Sequence, residues 1–255
     1  MIDFHTHAPA WNSGGWLAGA AFAAADFLAF MDGAGIEQAV VLGHDGLFDP
    51  VPSANDDLAA FVAADPGRLH GFGTVQIRRP GAADEVERML TVLGLRGLKI
   101  HPWLQGFSAH ERALDDVCDT LRRHGGILLS HDGSPPYSTP AQIAALARRH
   151  PELPVVLGHG GLHDLWREAL ALTAETANLH LCLCGTPPYA ARRILAEAPP
   201  GKVLFGTDAG LSDRPGQDYA VARVEEIAGW GITPAQRQAM LRDNPRRLLG
   251  GADDR

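Results

Sequence analysis

Two histidines stand two residues apart at the start of the chain, His5 and His7 in the segment Ile2-Asp3-Phe4-His5-Thr6-His7. Side chains at that spacing leave an extended strand on one face, so both imidazoles can reach one ion. A single pair of this kind is a weak signal. Further along stand Lys99 and His101 in GLKIHP, His131 in SHDG, His159 in LGHGG and Asp208 in FGTDAG. Imidazole and carboxylate donors suit a divalent transition metal, and such a metal makes water nucleophilic near neutral pH.

These residues follow short apolar runs, which fall at 1–4, 38–42, 69–75, 97–100, 126–129, 154–157, 178–183 and 202–205. Between the runs, apolar residues recur at helical spacing. In 111–124 they are Leu114, Val117, Cys118 and Leu121; in 141–150 they are Ile143, Leu146 and Ala147. Ser53 with Asp56, Thr139-Pro140, Thr233-Pro234 and Asn244-Pro245 read as helix starts, and Gly94, Gly125 and Gly201 as helix stops. Strands that alternate with helices pair in parallel, and eight such repeats in 255 residues match an α/β (β/α)8 TIM barrel, read as one domain over 1–255. A doubly wound open sheet is the competitor, but no GxGxxG follows the first run. In a barrel, side chains at the carboxyl ends of different strands converge. Of twelve histidines, His5, His7, His101, His131 and His159 all fall at such ends.

The remaining composition narrows the partners. Thirty acidic against 22 basic residues give a net charge of −8, which argues against nucleic acid or an anionic membrane as partner. Cys118, Cys182 and Cys184 form no disulfide framework, and the opening residues lack the basic start and apolar run of a secretory signal. The expected setting is cytoplasmic, with a small-molecule substrate, no membrane and a homodimer as the expected assembly. The segment from His7 to about Ala23, with Trp11 and Trp16, reads as a long loop over the barrel mouth.

Taken together, IDFHTH, GLKIHP, SHDG, LGHGG, FGTDAG and DNPRRLLG resemble the amidohydrolase superfamily, and most closely amidohydrolase family 2. The resemblance spans the chain. It implies His5, His7 and Asp208 on the more buried metal, with His131 a further ligand. It implies that His159 either binds a second metal or transfers protons. Lys99 either carries CO2 as a carbamate that bridges two metals or remains a buried cation that pairs Asp208 or a substrate carboxylate. The implied cofactor is one or two divalent ions, zinc first, with manganese or iron as alternatives. Asp208 and His159 are the expected catalytic residues.

His44, Gln76, Arg78, His101 and Trp103 are candidates for substrate binding, each equally readable as an ordinary packed or surface side chain. Cys182 and Cys184 share parity and read as small buried hydrophobes; thiolate ligation by Cys184 is an alternative that nothing in the sequence selects. The expected activity is hydrolysis of an amide, lactone or ester-like bond in a small molecule. The alternative is a single-metal non-oxidative decarboxylase or hydratase of the same superfamily. A metal-dependent nuclease fits poorly with the acidic balance, and a barrel without activity fits poorly with a complete ligand set.

Overall fold

The computed structural model describes residues 1–8, 22–43, 47, 52–211 and 218–250. His44, Trp11 and Trp16, and with them the expected mouth loop, lie outside the described residues. The eight expected strands form as β1 (Ile2–His7), β2 (Gln38–Leu42), β3 (Leu69–Gly73), β4 (Gly97–Ile100), β5 (Ile127–Ser130), β6 (Val155–Leu157), β7 (Leu179–Leu183) and β8 (Val203–Phe205). All neighbours pair in parallel, in the order β1 to β8. The ring is nearly closed beyond β8, where Thr6 bridges Ala209, His7 N donates to Ala209 O at 2.7 Å and Asp208 N donates to His5 O at 2.8 Å.

Alternation along the strands divides the interior in two. Val41, Leu98, Leu128 and Leu181 face outward and pack with helix residues such as Phe27, Val86, Ile143 and Ile194. Ile2, Phe4, Val40, Leu42, Phe72, Leu129, Val156, Cys182, Cys184 and Leu204 fill the barrel itself. The same parity carries Lys99, His131 and Asp208 inward at the strand ends. β1 is the exception to simple alternation. Its pairing with β2 slips between Asp3 and Thr6, so it holds one extra residue. That bulge reverses the alternation after Phe4. Ile2 and Phe4 therefore fill the barrel, while His5 and His7 turn into its mouth.

Helices cover the outside for local reasons visible in the sequence. In the helix Pro140–Arg149, Thr139 Oγ1 accepts from Gln142 N while Gln142 Oε1 accepts from Thr139 N, and Pro140 occupies the first turn. Its buried face, Ile143, Ala144, Leu146 and Ala147, packs against the sheet. Each larger aliphatic side chain there contributes about 1.5–3 kcal/mol by leaving water. Thr233 caps a second helix in the same way.

Three expected boundaries shift. The 111–124 pattern is a 3-10 turn, Arg112–Leu114, followed by the helix Asp115–Arg123. Glu111 stays outside because its carboxylate accepts from Ser108 N and Arg78. Ser53 lies inside the helix Pro52–Val62, one residue past its start. Asn244 is no cap: it is helical, at φ −66° and ψ −51°, and follows a π-helical turn, Ala239–Asp243. Its Nδ2 donates to Val203 O at 2.9 Å instead, which ties the last helix to β8. The wider turn makes room for Pro245, which has no N–H to give.

Candidate active site

The site lies at the carboxyl ends of the strands, where barrel enzymes place their chemistry. His5 is fully buried. Its Nδ1 lies 2.9 Å from Gly158 O. A carbonyl oxygen only accepts, so Nδ1 carries the proton and the lone pair is on Nε2. Room for this ring depends on two glycines. A methyl group at Gly206 would stand 2.5 Å from His5 Cβ, and one at Gly158 would stand 3.1 Å from His5 Cε1. Asp208 Oδ1 lies 3.4 Å from His5 Nε2 and 3.1 Å from His7 Nε2. Asp208 holds φ at +64°, a conformation that Asp tolerates better than most residues. The donor atoms of His5, His7 and Asp208 all lie within 4.8 Å of one another.

A second donor group shares His5. His159 Nδ1 sits 3.2 Å from Cys184 O, which by the same reasoning leaves its lone pair on Nε2. His5, His159 and Cys184 again bring one donor atom each within 4.8 Å of one another. Cys184, which the sequence left unselected, is thus part of the cluster. His131 is beside it rather than in it. Its ring stacks on His101 with centroids 3.8 Å apart and meets His159 edge-on at 4.4 Å, and its Nε2 pairs with Ser134 Oγ at 2.9 Å. It belongs to neither donor triplet. Lys99 is buried beneath the cluster, with Nζ 3.4 Å from His5 Nε2.

Electrostatics favour a neutral set of imidazoles around one anion. Burial lowers His5, His7, His101, His131 and His159 below the ordinary imidazole value, His159 to about 4, and the Lys99 charge acts in the same direction. Burial alone would push the Asp208 carboxyl up. The His7 hydrogen bond counters it and holds Asp208 below the usual carboxylate range. Burial brings Lys99 down to about 8, so a share of it is neutral amine in mildly alkaline solution. Neutral imidazole lone pairs beside a partly buried carboxylate are the donor chemistry that a divalent transition ion takes up, so these residues fit one.

The expected substrate-binding residues are divided. His101 faces the cluster through His131, and Trp103, 48% exposed, has its ring 5.9 Å from that of His101. Arg78 is engaged elsewhere: Nε and Nη2 donate to Glu111 and Nη1 donates to Gly106 O. Gln76 Nε2 donates to Gln105 O.

Two buried carboxylates that sequence reasoning passed over hold the frame. Asp3 accepts from Thr207 Oγ1 at 2.6 Å and from the amides of His5 and Thr207 at 3.1 Å, which joins β1 to the end of β8. Asp132 accepts from His159 N and Gly161 N, both at 2.6 Å, and so orients the turn that carries His159. The neighbouring-acid signal was present in SHDG but has no local period to mark it. Asp132→Ala leaves two buried amides without an acceptor, at about 1–3 kcal/mol each. Denaturant unfolding is expected to rank wild type above Asp132→Asn, which restores one acceptor, and that above Asp132→Ala. Equal midpoints for all three would remove Asp132 from this role.

The fold is a (β/α)8 barrel, and the donor cluster marks a candidate site at the carboxyl mouth of its strands. The amidohydrolase family model matches residues 2–251, so the chain belongs to this family and is an enzyme of the amidohydrolase superfamily, whose members are generally metal-dependent. No curated protein matches the chain by sequence. Among solved structures, it is similar to 5-carboxyvanillate decarboxylase from Sphingomonas paucimobilis, with 23% identity, TM-score 0.68, and 88% of this chain and 82% of that one covered. It is also similar to a probable 2-pyrone-4,6-dicarboxylic acid hydrolase from Acinetobacter baumannii, with 15% identity, TM-score 0.74 and 98% of both chains covered. A third is 4-oxalomesaconate hydratase from Rhodopseudomonas palustris, with 17% identity, TM-score 0.71, and 100% and 97% covered. At these identities the likeness concerns the fold. No helix among the described residues is long and apolar enough to cross a membrane.

Proposed function

We propose that this enzyme hydrolyses an amide, lactone or ester-like bond in a small molecule, with a divalent metal, zinc first, held by His5, His7 and Asp208. The observation that carries the reading is the meeting of three donors from both ends of the chain, within 4.8 Å of one another, two of them buried and the third partly so. When bound, the cation supplies Lewis acidity, which makes water nucleophilic near neutral pH. Asp208, kept anionic, orients the attacking water and takes its proton. His159, neutral at pH 7 with its lone pair on Nε2, passes a proton on toward the leaving group. The Lys99 cation, fixed beside His5, attracts a carboxylate on the substrate.

Decarboxylation of a small acid without oxidation is the second reading, and Lys99 favours it, since a buried cation beside the donor cluster suits an acid substrate. Hydration across a double bond belongs to the same alternative. Heavy-oxygen water separates the three. Hydrolysis puts the label into a cleaved product, hydration adds it without cleavage, and decarboxylation releases CO2 with no net uptake of water. The substrates to try are small dicarboxylic lactones and aromatic or unsaturated acids.

Metal content is the first check. Protein grown without chelator is expected to hold close to one equivalent of divalent metal, and under about 0.3 equivalents would count decisively against the reading. Removing the metal is expected to cost about 3 kcal/mol of stability at metal concentrations near one hundred times Kd, read as a fall in Tm on chelation.

A further inference from the structure

The two donor triplets, His5–His7–Asp208 and His5–His159–Cys184, share His5. Because the proton of His5 is fixed on Nδ1 by Gly158 O, the ring offers a single lone pair. One lone pair serves one cation at a time. The triplets also differ in chemistry: the first ends in a carboxylate, the second in a sulfur donor, and soft cations prefer sulfur.

We infer that the cluster holds two mutually exclusive metal positions sorted by softness. Harder and borderline ions take His5–His7–Asp208, and a thiophilic cation takes His5–His159–Cys184. This rests on the metal-site reading above and adds the regulation of that site. Cys184 is well placed for the second role. Its backbone oxygen lies 3.2 Å from His159 Nδ1, which leaves the His159 lone pair on Nε2, and its side chain lies inside the barrel between β6 and β8. On binding, the Cys184 S–H bond breaks as the sulfur–metal bond forms, and the proton leaves to solvent; no electrons are exchanged. A thiophilic cation seated there takes both His5 from the first triplet and His159 from proton transfer, so it inactivates the enzyme without blocking the mouth.

The test uses the full chain, stripped of metal and titrated with Cd(II). Near-ultraviolet difference absorption reports sulfur-to-cadmium charge transfer, and equilibrium dialysis counts the ions bound. The expected result is a charge-transfer band that saturates at one Cd(II) per chain. That band is lost in Cys184→Ser and Cys184→Ala and kept in Cys182→Ser and Asp208→Asn. Cd(II) bound with no band in the wild type, or a band that follows Cys182, overturns the inference and leaves the proposed function standing. Two Cd(II) per chain together with the band overturns mutual exclusion. Failure to bind Cd(II), Zn(II) or Mn(II) at all removes the proposed function itself. The wild-type band and count do not depend on any variant folding.

Discussion

Asp208→Asn is expected to lower kcat by about 10²–10⁴-fold, the range that a positioned proton acceptor contributes. Asn has nearly the shape of Asp and accepts the same left-handed backbone, φ +64° at this position, so the fold should survive. What is lost is charge. Asp208 is the anion that faces His5 and His7 at 3.4 and 3.1 Å, and it stays ionised although partly buried. An amide in its place cannot take a proton from water and offers a weaker donor to a cation. Metal content should therefore fall along with kcat, and both should be measured on one preparation. A variant with full metal and a rate within about threefold of wild type would exclude Asp208 as proton acceptor, since such a role is worth at least tenfold more.

Gly210→Ala should have the largest effect on stability, and its cause is remote from proton transfer. Gly210 sits at φ +89°, and a Cβ there would come within 1.7 Å of His7 O. The obstacle is backbone, so no side-chain rotation relieves it. The left-handed conformation costs about 1–2 kcal/mol and overpacking about 1–3 kcal/mol, together roughly 2–5 kcal/mol. Native proteins have about 5–15 kcal/mol in all, so this is a large share. The segment beyond β8 can relieve the clash only by moving away from β1. That would break the His7–Ala209 and Asp208–His5 backbone bonds, which bring Asp208 to the two histidines. Metal affinity and unfolding midpoint should fall together. A drop in the midpoint with metal affinity intact would show that closure of the ring and assembly of the site are separate.

Much of this was legible in the chain. The eight apolar runs, the helical spacing between them and the caps at Thr139 and Thr233 are local patterns, and the elements formed where those patterns lie. The boundaries that moved, at Glu111 and Asn244, did so because distant partners, Arg78 and Val203 O, competed with the local pattern. On β7 the shared parity of Cys182 and Cys184 was legible, but that this face is the inner one is shown only by the packed barrel. On β1 the spacing of His5 and His7 correctly put them on one face. The turn of that face into the barrel depends on a bulge that only pairing with β2 reveals.

What sequence determined by itself, then, is an ordered series of strands and helices with histidine, lysine and aspartate at the strand ends, because secondary structure follows from near-neighbour chemistry. Tertiary structure alone decided which of those ends share one ion's neighbourhood. It brought Cys184 in beside His5 and His159, set His131 against His101 and Ser134, and gave Asp132 the turn that holds His159. Those outcomes turn on distances across the barrel of a few ångströms, fixed by how the ring closes, and no spacing along one strand encodes them.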